Sequence, residues 1–295
     1  SSVIPVKGYL YISQGTLSLS TAGYLNVAEF GTTTISAGGT LNLGDRYLTS
    51  TGDVVVNGTL RGNAGSGLYL RGGQSLTVNS GGELILLGSQ SEPVTVSRSN
   101  TGGYYAFTIA SGAAITAHDA IFEYMDANGV YIDSGATVGE SFTFGNCAFR
   151  YGEVTAQGGA LLTVRNSQNL SISGASFPVL PAEPGSNVSK PLNQGSLEFL
   201  AWDGPYGGPS HENDPYGRVS WEGGGLPPVQ NLFIAYSAGQ ISLDWDYSEP
   251  VDHFNIYRAA DPAGTFTLHS TSASTSWSEA VPGSFYFYRV TAVGP

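Results

Sequence analysis

The stretch Asp119-Ala120-Ile121-Phe122-Glu123-Tyr124 returns 27 residues later as Asn146-Cys147-Ala148-Phe149-Arg150-Tyr151, and its echo Gly174-Ala175-Ser176-Phe177 follows after 28 more. Upstream the same rhythm is carried by leucines. Leu17, Leu25 and Leu41 stand on an eight-residue grid with Thr33 in the remaining slot, and Leu60, Leu68, Leu76 and Leu84 resume it. Small-residue turns punctuate the grid: Gly38-Gly39-Thr40-Leu41, Asn57-Gly58-Thr59-Leu60 and Gly81-Gly82-Glu83-Leu84, and later Gly112-Ala113, Gly135-Ala136 and Gly158-Gly159, these last three spaced 23 residues apart. Between turns apolar and polar residues alternate, as in Thr40-Leu41-Asn42-Leu43 and Ser75-Leu76-Thr77-Val78. A period of two marks half-buried strands. Three strands of about eight residues make one coil, and a self-similar period of this length marks a stacked architecture.

Coils of 23–28 residues with unequal loops resemble a right-handed parallel β-helix; the strict hexapeptide period of the left-handed kind is absent. Residues 8–180 supply about seven coils, a stack of roughly 35 Å at about 4.8 Å per strand step. The reading fits the 41 glycines, since each coil turns three corners and glycine accepts positive φ there. It places Phe122, Phe149 and Phe177 in one inward stack, and it sets Glu123 beside Arg150 on the outside as a pair that fixes register. Cys147 stands where Ala120 stands one repeat earlier and reads as a small core residue rather than a reactive thiol.

The pattern changes after Phe177. Residues 181–226 read as a cap and linker, in a proline-rich stretch that resembles the closing segment of β-helices in some secreted bacterial proteins. Trp202, Tyr206, Tyr216 and Trp221 are expected to cover the last coil. Asp203, Glu212, Asn213 and Asp214 bring four oxygen-bearing side chains into the same segment, the donor type that hard cations such as calcium take, although the spacing matches no EF-hand loop. Calcium is the one cofactor this segment suggests.

Residues 227–295 resemble a fibronectin type III domain. The resemblance rests on Pro227-Pro228-Val229 opening the first strand, Ile241-Ser242-Leu243-Asp244-Trp245, Phe254-Asn255-Ile256-Tyr257-Arg258, and Phe285 to Val293 with Tyr288, Val290 and Ala292 in the family's order. It implies a β-sandwich, here without the family's last strand, because the sequence stops at Gly294-Pro295 soon after the strand that precedes it. The fold class expected is all-β: β-helix over 1–180, cap and linker over 181–226, sandwich over 227–295. An unpaired edge is then expected at each end of the molecule. Val3, Ile4, Val6, Tyr9 and Tyr11 lie in an extended N-terminal segment with no helical period, and Tyr286, Tyr288, Val290 and Ala292 lie in the edge strand of the sandwich. Unpaired edges are templates for another chain, and contacts of this head-to-tail kind build open filaments.

Charge and composition narrow the function. A net charge of −12 with eleven basic residues argues against nucleic acid as a partner. No apolar run approaches the roughly 20 residues of a membrane-spanning helix. A single cysteine excludes an intramolecular disulfide. Many parallel β-helices are polysaccharide lyases or hydrolases, and Asp119, Glu123, Asp126, Asp133, Glu140 and Glu153 are the candidate acids; only Asp126 and Asp133 flank one turn, and no second pair stands a coil away. His118 beside Asp119 reads as structural. The sequence thus points to a non-enzymatic structural protein of the bacterial exterior, secreted or on the cell surface, whose partner is a second copy of itself. A glycan-binding adhesin using the exposed tyrosines is the alternative partner reading, and a carbohydrate-active enzyme the last.

Overall fold

The computed structural model describes residues 3–19, 24–28, 31–99, 102–153, 159–178, 186–204, 206–222, 229–247, 251–261, 266–281 and 286–293. The described residues up to Glu222 wind as a three-faced parallel β-solenoid of about eight turns. Face A stacks seven strands from Val3–Lys7 to Ala148–Arg150, and face B stacks nine from Leu10–Ile12 to Glu212–Asn213. Face C stacks six from Gly15–Ser18 to Thr137–Gly145 and is followed by a three-stranded sheet of Asn169–Ser173, Ser196–Leu200 and Val219–Glu222.

The eight-residue grid is the walk from face to face. Leu60, Leu68, Leu76 and Leu84 are the inward residues of faces C, A, B and C in turn, and register stacks each over its counterparts. Leu17, Leu41, Leu60, Leu84 and Ile115 form one column. Leu25, Leu48, Leu68, Val96, Phe122 and Phe149 form the second. Thr33, Val54, Leu76, Phe107, Val130, Leu162 and Val188 form the third. Coil length on face A runs from 20 residues (Leu48 to Leu68) to 28 (Leu68 to Val96), so the shortest coil falls below the range the sequence suggested. Loops absorb the difference while strand register holds, because a slip of one residue would turn every inward side chain out.

Two ladders follow from the 27-residue repeat. Phe122, Phe149 and Phe177 stack near-parallel, with ring centroids 5.3 and 5.6 Å apart. At one corner Asp119, Asn146, Gly174 and Ala201 recur at the same place in successive coils, all with φ between 49° and 71°. Asp and Asn tolerate this left-handed conformation better than other non-glycine residues. Here Asn146 Nδ2 also donates to Asp119 Oδ1 at 3.2 Å, tying one coil to the next.

The parallel pairing does not stop at residue 180. Ser186–Ser189 pairs with Ala160–Val164, Ser196–Leu200 with Asn169–Ser173, and Glu212–Asn213 and Val219–Glu222 extend the stack further. Most of the stretch assigned to cap and linker is therefore solenoid. The alternation that marks strands is lost at Ser186–Ser189, because Asn187 and Ser189, on the opposite side of the strand from inward Val188, are buried as well, and Lys190 beyond them is buried too. They hold partners instead. Lys190 Nζ donates to the Asn166 carbonyl at 2.6 Å, and Asn187 Nδ2 donates to the Tyr206 carbonyl. The aromatic column closes on Phe199 and Trp221, stacked at 4.2 Å, with Trp202 edge-on to Trp221 at 5.3 Å.

Beyond Glu222 the chain is antiparallel. One sheet has the order Gln230–Ser237, Gln240–Asp246, Ser276–Ala280; the other has the order Thr267–Ser272, His253–Ala259, Phe287–Val293. The two are compatible with a sandwich around Leu243, Trp245, Phe254, Ile256, Val290 and Ala292. Pro227, Pro228 and Phe285 lie outside the described residues, as do Gly294 and Pro295. Arg289 Nη1 donates to Ser173 Oγ of the solenoid at 3.1 Å.

Candidate functional site

The first coil is built like those above it and, among the described residues, its strands are the last of their three sheets. Leu17 is 36% exposed, whereas Leu41, Leu60 and Leu84 in the same inward column are 0% exposed. Leu10 N–H donates to the Thr32 carbonyl and Ser36 N–H to the Ile12 carbonyl, so Leu10 and Ile12 face the second coil. Successive residues of a parallel strand direct their backbone groups to opposite sides, and those of Tyr11 therefore point to the open edge. Tyr9 and Tyr11 are 79% and 65% exposed, and Ile4 is exposed too. Val6 packs partly against the core. Val3 pairs with Tyr24 through its backbone, and its side chain lies outside the described residues. Pro5 sits within Val3–Lys7 and brings no N–H, which blunts the face A edge and leaves the face B edge the more available.

At the other end, the sandwich has two outer strands of interest. Phe287–Val293 pairs, among the described residues, only with His253–Ala259. Its side chains are largely committed inward. Val290 and Ala292 are in the core, and the Tyr286 ring lies 4.1 Å from the Arg258 guanidinium. Tyr288 donates to Glu279 Oε1 at 2.5 Å, and burial together with that bond pushes its phenol up to about 12. Of the residues expected to act in assembly, these four offer backbone rather than surface. The opposite edge strand, Gln230–Ser237, was not singled out from the sequence, yet it exposes Leu232, Phe233, Ile234 and Tyr236. The signal was present: Leu232-Phe233-Ile234-Ala235-Tyr236 is an unbroken apolar run where a strand with one solvated face would alternate.

The oxygen-rich segment does not converge on one point. Glu212 accepts Trp221 Nε1 at 2.5 Å, and burial raises its carboxyl above the usual range. Asp214 accepts the backbone N–H of Tyr216 and of Val219, closing a turn. Asn213 lies 3.5 Å from Ser189 Oγ, and Asp203 bridges Ser176 through its backbone. Among the described residues no group of three or more His, Cys, Asp or Glu side chains is placed to hold a metal ion.

Four of the candidate acids, Asp119, Glu123, Asp126 and Asp133, are likewise engaged. Asp126 accepts from Asn128, and Asp133 from the Ser134 N–H, each within its own turn. His118 Nδ1 lies 2.7 Å from Asp119 Oδ2, in the corner ladder. Glu123 takes Arg150 Nε at 2.7 Å and Ser97 Oγ at 2.9 Å, so three coils are joined on the outside of face A. Burial pushes the Cys147 thiol up to about 12, which leaves it protonated and unreactive at neutral pH. No helix among the described residues is long and apolar enough to cross a membrane. No protein-family model, curated protein or solved structure matches this chain.

Proposed function

We propose that this chain is a non-enzymatic structural protein of the cell exterior that assembles head to tail. One observation carries the reading. Among the described residues, the exposed large apolar side chains gather at the two ends: Ile4, Tyr9, Tyr11 and Leu17 on the first coil, and Leu232, Phe233, Ile234 and Tyr236 with Leu268, Val281 and Phe287 on the antiparallel sheets. The long body between them exposes only Tyr47, Tyr151 and Tyr216. Exposed edge strands recruit further strands, and joining unlike surfaces on one molecule propagates without closing. The strand order of the C-terminal sheets supports the fibronectin type III reading. In it, either outer strand, Gln230–Ser237 or Phe287–Val293, can accept the first coil. Apolar exposure favours Gln230–Ser237.

Multi-angle light scattering over a concentration series tests this. The natural chain grows in mass with concentration. Tyr11→Pro, which removes a donor only from the open edge, and Ile234→Lys, which charges the opposite surface, each hold it at monomer mass with the circular dichroism spectrum unchanged. A monomer at every concentration, or growth unaffected by both substitutions, overturns the reading.

A further inference from the structure

The outer surface of face A has a gap. Register stacks Tyr47, Gly67 and Thr95 in one outward column, so that the middle coil contributes no side chain between a ring below and a threonine above. The Tyr69 ring, from the neighbouring column, leans toward that vacancy and meets Tyr47 edge-on, centroids 5.7 Å apart and planes at 64°. A Cβ on Gly67 would fall 2.5 Å from the Tyr69 ring and 2.7 Å from the Tyr47 ring, so this arrangement of the two rings requires glycine at that position. Beside it lies an open cleft of about 410 Å³ whose lining includes Tyr47, Tyr69, Glu92, Thr95 and Asp45.

Its charge is specific. Asp45 lies 3.2 Å from Arg46 Nε and is offset by it, whereas the hydrogen bonds of Glu92 among the described residues, to Gly65 and Ser89, run through its backbone, and the residue is exposed. Two tyrosine rings at an angle, a carboxylate in the same lining and a chain of net charge −12 favour a cation over an anion. We propose that this cleft binds an organic ammonium group, held by cation–π contact with Tyr47 and Tyr69 and by charge with Glu92. A quaternary head such as choline and the ammonium of an amino sugar present the same chemistry; a neutral sugar does not. The site stands apart from the assembly surfaces, and its occupancy does not depend on them.

The test is a chemical-shift titration of the full chain at low ionic strength with choline, with glucosamine and with glucose. Saturable shifts at millimolar choline or glucosamine, centred on Tyr47 and Tyr69 and absent with glucose, support the proposal. Glu92→Gln, a substitution at an exposed side chain, weakens that binding about fivefold, the size expected for one exposed charge partner. Gly67→Ala abolishes it. Saturation by choline alone assigns a quaternary head and saturation by glucosamine alone an amino sugar. Glucose shifts equal to those of glucosamine, no saturation by either ammonium, or affinity unchanged in Glu92→Gln overturns it.

Discussion

Phe149 is the central ring of the solenoid's aromatic column, and its removal gives a sharp test of how the stack is held. The ring is fully buried, lying between Phe122 at 5.3 Å and Phe177 at 5.6 Å with Phe144 tilted against it at 5.9 Å. Phe149→Ala removes the transfer free energy of the ring and leaves a cavity that stacked backbone cannot collapse into; such changes cost about 3–5 kcal/mol. The ring pairs account for part of that loss, at about 0.5–1.5 kcal/mol each. Phe149→Leu keeps much of the volume and is expected to cost about 1–2 kcal/mol. Coils touch only their neighbours, so the damage should stay local. Urea denaturation gives the total, and hydrogen exchange gives its distribution. Protection should fall in the coils of Phe122, Phe149 and Phe177 and persist around Leu41 and Leu60. A total loss below about 1 kcal/mol, or protection lost evenly along the stack, would refute the ladder account.

Three further outcomes follow from buried polar groups. Lys190 is buried, and desolvation brings its ammonium down to about 8 from 10.5. Its charged form is therefore penalised in the folded state below pH 8, and the penalty fades as pH rises from 8 toward 10.5, where the unfolded chain binds the more protons. The stability of the natural chain relative to Lys190→Met should accordingly rise by roughly 1–3 kcal/mol between pH 7 and 10; a flat difference in urea midpoints over that range contradicts this. Cys147, with its thiol held at about 12, should resist alkylation by iodoacetamide at pH 8 in the folded chain and react fully in denaturant. Thr33 sits buried in the inward column under Val54 with its hydroxyl unpaired, and Thr33→Val should raise stability by about 1 kcal/mol in the same denaturation measurement.

The body of the fold was legible in the sequence because its ladders repeat residue types. The match of Ile121-Phe122-Glu123 with Ala148-Phe149-Arg150 is the register itself, and the leucine grid is the three inward columns. The last turns were hidden because polar Asn187, Ser189 and Lys190 surround the one inward apolar residue, Val188, and break the apolar pattern while backbone pairing persists. Gln168 shows the same independence of pattern from pairing. Its side-chain amide takes both the N–H and the carbonyl of Val138, standing in for a strand that the backbone does not supply. The carboxylates of Glu212 and Asp214 close local contacts with Trp221 and with a turn, a use of acids that spacing alone cannot separate from ligation. The cleft at Gly67 was invisible for a different reason. A missing side chain becomes a site only once register shows Tyr47 and Thr95 as its neighbours in the column.

The account stands or falls on what covers the two apolar ends. Negative-stain electron microscopy of the purified chain at high protein concentration is the direct measurement. Unbranched threads with one molecule per axial repeat, lost in Tyr11→Pro and in Ile234→Lys, are the predicted result; a field of single separate rods from the natural chain at every concentration contradicts it.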